Sequence, residues 1–153
     1  MVRVAALLGR PYSISGHVLQ GRQLGRALGE SALGRGDGFR TLNLRFAHRR
    51  PAAMGIFIVR VHGLAPGADA APLPGVASLG VRPTLGDNGR VLLETHCLAW
   101  PSSLGPDGGY GRVVRVELLH KLHDERQYAS LDALRAGIAV DVAAAQAWFA
   151  AAR

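Results

Sequence analysis

The feature that most constrains this chain is a change of hydrophobic period near residue 130. Before it, apolar residues come in short separate runs with β-branched content or strict alternation, the pattern of strands. The runs are Tyr12 to Gln20, Thr41 to Phe46, Ile56 to Val61, Val76 to Val81, Val91 to Leu98 and Tyr110 to Leu119. In the last, Val114, Val116 and Leu118 share one face while Arg115 and Glu117 take the other. After it, Leu131, Leu134, Ile138, Val142 and Phe149 recur at helical spacing. Ser130 is a good N-cap and Asp132 suits the positive end of the helix dipole. Strands first and one long helix last predict an antiparallel barrel or sandwich with the helix packed against it.

The 153 residues suit one domain able to bury a core. No internal repeat or second domain is visible, so a single domain over 1–153 is expected, its β part about 12–122 and its helix about 130–151. Ala65 to Pro74 reads as a loop, Gly21 to Gly38 as glycine-rich and irregular, and Asn88-Gly89 as a turn. A hydrophobic content of 48% with 19% charged residues is that of a folded chain.

Formal net charge is +7, and Lys121 is the single lysine among 18 basic residues. That balance suits an anionic partner such as a nucleotide, although scattered arginines are equally a matter of composition. No apolar run approaches the ~20 residues of a membrane span. The lone Cys97 excludes an internal disulfide and is at home in a reducing compartment. A cytoplasmic location, no membrane and no nucleic-acid partner are expected.

Three places carry candidate chemistry. Leu42 and Leu44 fall on one side of their strand, Thr41 and Asn43 on the other. The latter two are hard oxygen donors that could share a Mg²⁺ ion, or ordinary polar residues of an edge strand. Glu94 lies in an apolar strand, where a carboxylate must be paired or costs much to bury. It could serve as a general base or pair with an arginine. Gly21 to Gly29, with Arg22 and Arg26, could cradle phosphates, but lacks the Gly-Lys-Ser/Thr ending of a P-loop. His96, Cys97, His120 and His123 show no metal-site spacing.

Together these residues resemble the riboflavin kinase family, in particular the kinase module of bacterial riboflavin kinase/FMN adenylyltransferases (FAD synthetases). The likeness runs through Leu8 to Gly16, Gly21 and Arg26, Thr41 and Asn43, Gly80 to Thr84, Glu94 to His96, Tyr110 to Arg112, and Ser130 to Leu134. It implies a six-stranded antiparallel Greek-key barrel with a long C-terminal helix, and phosphorylation of riboflavin to FMN by ATP. It also implies roles: Glu94 as catalytic base, Thr41 and Asn43 as ligands of Mg²⁺ and ATP, Gly21 and Arg26 as ATP-phosphate contacts, Arg112 and His123 as flavin contacts. The family is normally fused to an FMN adenylyltransferase domain, and no counterpart of that domain is expected in these residues. Arg40 replaces the family's motif proline, about nine extra residues fall near 30–38, and His123 stands where an arginine is usual. Activity weakened by the altered 30–40 loop is therefore expected. Two alternatives are a non-catalytic flavin or nucleotide binder and a basic barrel for nucleic acid. The latter would need exposed aromatics as stacking platforms, and aromatics of every kind are only 6% of the chain, mostly at core positions.

Overall fold

The computed structural model describes residues 1–19, 41–46, 51–65, 67, 70–81, 91–104 and 109–152. Its strands are β1 (Tyr12–Leu19), β2 (Thr41–Arg45), β3 (Gly55–His62), β4 (Leu73–Val81), β5 (Val91–Cys97) and β6 (Val113–His123). Helix α1 (Val2–Leu8) precedes them and α2 (Leu131–Ala151) follows.

The strands form a closed barrel in the order β1-β2-β5-β4-β3-β6, and all six pairings are antiparallel. Strands β3, β4 and β5 are neighbours in sequence and in space, and β6 returns to the free side of β3. That is a Greek key, closed by β1 pairing with β6. Closure leaves no sheet edge to template aggregation. The alternating residues Leu42, Leu44, Ala77, Leu79, Leu93, Val114, Val116 and Leu118 fill the interior, with Phe57 fully buried among them.

Helix α2 starts where the sequence indicates. Ser130 Oγ accepts a hydrogen bond from the Ala133 amide at 3.1 Å, satisfying one of the four N–H groups a helix start leaves open. Its C-terminal half packs on the outside of the barrel. Ala145 is fully buried with Ile58 and Val76, and Trp148 and Phe149 cover the same patch. Leu131 begins the apolar stripe in sequence but is 62% exposed; the packed stripe starts at Leu134.

Three boundaries differ from the sequence pattern. Strand β6 begins at Val113 rather than Tyr110, because Gly109 and Gly111 take φ of 114° and 75°, which turns the chain. It then runs on to His123, since β3 keeps pairing with it as far as Ile56, with two register irregularities on the way. Strand β4 begins at Leu73 and includes Pro74, at a strand start where a missing N–H is tolerated. Helix α1 has no buried residue, so no amphipathic stripe announces it.

Candidate active-site groove

Parity decides which side chains leave the barrel. In β2 the inward residues are Leu42 and Leu44, so Thr41 and Asn43 point out. In β5, Leu93, Thr95 and Cys97 are buried inside, and Glu94 and His96 point out, half-buried. Strand register then aligns the outward residues in rows. Asn43 lies opposite Glu94, Glu94 opposite Ser78, and Ser78 opposite Ile56. In the next row Thr41 lies opposite His96, His96 opposite Val76, and Val76 opposite Ile58. Directly opposed residues share a face with Cβ atoms ~4.5–5.5 Å apart, so Asn43, Glu94 and Ser78 form one polar line.

A groove of about 180 Å³ opens over these rows, beneath the N-terminal half of α2. Its apolar walls are Ile56 and Val76 from the barrel and Leu134, Ile138 and Val142 from the helix. Thr41, Ser78, Glu94 and His96 supply the polar floor. Greasy walls with a few converging polar groups are the usual form of a small-molecule site.

One end of the groove is tied by hydrogen bonds. His123, the last residue of β6, directs Nε2 at Asp141 Oδ1 of α2, 2.8 Å away, while its Nδ1 stands 2.6 Å from the Asp124 carbonyl. A carbonyl and a carboxylate only accept, so each ring nitrogen faces an acceptor. Asp141 is itself buried, and the imidazole partner offsets the cost of placing a carboxylate there. Nearby, Ser78 Oγ donates to Glu125 Oε1 at 2.9 Å.

The structure brings Thr41, Glu94 and His123 to one groove, with Asn43 beside Glu94. Arg112 is elsewhere. It precedes β6 at the end of the strand opposite His123, and its guanidinium donates to the Leu64 carbonyl at 3.4 Å. Gly21, Arg26, Arg40 and the 30–38 segment lie outside the described residues. Cys97 lies inside the barrel, where burial pushes its thiol up to about 12, so it is an inert core residue rather than a ligand. Among the described residues no group of three or more His, Cys, Asp or Glu could hold a metal ion. Thr41 and Asn43, two residues apart on the outer face of β2, present a hydroxyl and an amide oxygen, hard donors of the kind Mg²⁺ takes. Such an ion takes one or two protein oxygens and completes its shell with water and substrate phosphates.

Sequence reasoning missed Asp141, Ser78, Glu125 and Tyr128 as groove residues. For Asp141 a signal exists: Leu134, Ile138, Asp141 and Ala145 follow i, i+4, i+7, i+11 spacing, which puts the acid on the packed face. No such signal marks the other three, which reach the groove through register and through the path of the 124–130 connection.

Comparison with known proteins agrees with this architecture. A solved structure described as a macrolide-efflux protein from Streptococcus pneumoniae superposes with a TM-score of 0.71 at 23% identity, covering 94% of this chain and 41% of that one. At that identity the likeness concerns the fold alone. The bifunctional riboflavin kinase/FMN adenylyltransferase of Pseudomonas fluorescens is 39% identical over 141 residues, 92% of this chain and 39% of the relative. The enzyme of the same description from Escherichia coli K12 is 38% identical over 144 residues, 94% of this chain and 40% of the relative. This chain thus spans about two fifths of the length of these relatives. The flavokinase family profile, described as riboflavin kinase, matches residues 8–149. A match over nearly the whole barrel and helix, carried by relatives well above chance identity, means that the chain belongs to the riboflavin kinase family.

Proposed function

We propose that this chain phosphorylates riboflavin to FMN, with ATP as phosphoryl donor. The observation that carries the reading is the polar line Asn43–Glu94–Ser78 laid across three strands, with Glu94 and Ser78 on the floor of an apolar groove. Family membership supplies the substrate class. The groove's apolar walls suit the flat flavin ring system, and Glu94 on the floor suits a hydroxyl at the end of the ribityl chain. Glu94 takes the proton of the 5′-hydroxyl as that oxygen bonds the γ-phosphorus, and the bond to the β,γ-bridging oxygen breaks to release ADP. A positioned general base contributes typically ~10²–10⁴-fold; most of the remainder comes from holding the reactants in line and neutralising charge. Bound Mg²⁺ would supply part of that neutralisation, with Thr41 and Asn43 as its protein oxygens. Gly21 and Arg26 are assigned to the ATP phosphates by the family resemblance. On the flavin side the reading uses His123 and its partner Asp141, and leaves out Arg112.

The second activity in the relatives' names is not ascribed to this chain. A nucleic-acid barrel is not favoured. Among the described residues no helix is long and apolar enough to cross a membrane, and a cytoplasmic location belongs to this proposal because ATP is the donor. The test is FMN formation from riboflavin and MgATP, followed by chromatography. FMN and ADP appearing in equal amounts support the reading. Riboflavin binding without FMN would leave a binder and overturn the kinase.

A further inference from the structure

The two halves of α2 meet the barrel differently. The C-terminal half is packed tight, with Ala145, Trp148 and Phe149 against Ile58 and Val76. The N-terminal half stands off, with the groove between Leu134 and Ile138 on one side and Ile56 and Val76 on the other. Apolar surfaces that face each other across a groove gain by closing together in water, so a brace between them would set how far the groove stays open.

The connection between β6 and α2 has the right geometry. Glu125 and Tyr128 both line the groove, and the tip of each lies against a glycine, in space that a Cβ there would need. On the barrel, the Glu125 carboxylate occupies the position a Cβ on Gly80 would fill, where it accepts from Ser78 Oγ at 2.9 Å. On the helix, a Cβ on Gly137 would stand 2.6 Å from Tyr128 Cε1 and Cζ, and closer still to the phenol oxygen. Mid-helix glycine is unfavourable relative to alanine, so Gly137 weakens α2 unless the space is used. The connection is thus keyed into the barrel at one point and into the helix at the other.

We propose that residues 124–130 act as a spacer: Glu125 in the Gly80 notch and Tyr128 in the Gly137 notch set the width of the groove and so its affinity for the flavin ring. This rests on the reading that the groove takes riboflavin. Glu125 and Tyr128 are positioning residues, and their effect is preorganisation: a groove held open need not be reopened by the ligand.

The test is riboflavin affinity by flavin fluorescence, alongside thermal melting and steady-state kinetics, for the parent, Gly137→Ala, Glu125→Ala and Glu125→Gln. Alanine at 137 improves helix propensity, so Tm should hold or rise, while the displaced Tyr128 ring weakens riboflavin binding roughly five- to tenfold. Glu125→Ala should weaken it similarly, and Glu125→Gln, which can still accept from Ser78, should restore most of it. For Gly137→Ala, kcat at saturating riboflavin should stay within about twofold of the parent, because Gly137 does not line the groove and the line through Glu94 is untouched; the Glu125 variants, which remove or alter the partner of Ser78, are read by riboflavin affinity alone. Parent-like affinity in both alanine variants would overturn the spacer and leave the kinase reading standing. A parent that binds no riboflavin would overturn that reading and the spacer with it.

Discussion

The inside and the outside of this barrel are built from the same strands and do opposite work. Along β5, Leu93, Thr95 and Cys97 point inward and are at most 4% exposed, while Glu94 and His96 point out to the groove. Neighbouring residues therefore answer to different physics. Inward positions are judged by volume and by the absence of unmet polar atoms. Outward positions are judged by what they can hold or deprotonate. A period of two lets one seven-residue strand fill the core with one face and, in the proposed reading, serve chemistry with the other.

Substitutions at consecutive positions should separate the two. Leu93→Ala, wholly interior, should cost about 2–5 kcal/mol of stability by leaving a cavity. The mutant should keep its turnover per folded molecule. Cys97 offers a convenient monitor: its thiol, with an ordinary value of 9.0, is pushed up to about 12 by burial, so alkylation requires opening of the barrel. Labelling should be slow in the parent and much faster in Leu93→Ala; equal rates would show that the interior is not packed as described. The same shift gives a sign for pH dependence. The folded state keeps a proton that the unfolded state gives up, so this contribution to stability is present below about pH 9 and is lost as pH rises towards about 12.

Glu94→Gln, one residue on, should reverse the pattern. The shape is kept and the proposed base removed, so kcat should fall by ~10²-fold or more, with an unfolding midpoint near that of the parent. Unchanged turnover would make Glu94 structural and break the comparison. Thr41→Ala and Asn43→Ala should each raise the KM for MgATP roughly tenfold and leave riboflavin affinity nearly alone. A Mg²⁺ titration that superposes on the parent's would remove them from the proposed metal site.

The smallest effect is expected at Thr95. Its hydroxyl is fully buried inside the barrel and has no hydrogen-bond partner among the described residues. Replacing an orphaned buried hydroxyl by a methyl of the same shape should be neutral to stabilising, by up to about 1 kcal/mol. Thr95→Val should raise Tm slightly without touching kinetics. A loss of stability would mean that the hydroxyl is satisfied within the barrel and that the interior is less uniformly apolar than the packing indicates.

The strands, the final helix and the division of faces were legible in the sequence because they depend on local periodicity. Leu42 and Leu44 against Thr41 and Asn43, or Leu93 against Glu94, can be sorted by parity alone. The N-cap at Ser130 is equally local. The choice of a closed Greek-key barrel over a sandwich came from family resemblance, since strand pairing across the chain leaves no mark on any one segment. Only the tertiary structure decided which polar residues meet. Ser78 and Glu94 are opposite because β4 and β5 pair in one register; a slip of one residue would bury one of them. His123 meets Asp141 because β6 runs past the point where its alternation fades and α2 folds back over it. Gly80 and Gly137 read in the sequence as weaknesses of a strand and a helix. They become sites of close approach only once the 124–130 connection lies against both, because the atoms that fill those spaces come from another part of the chain.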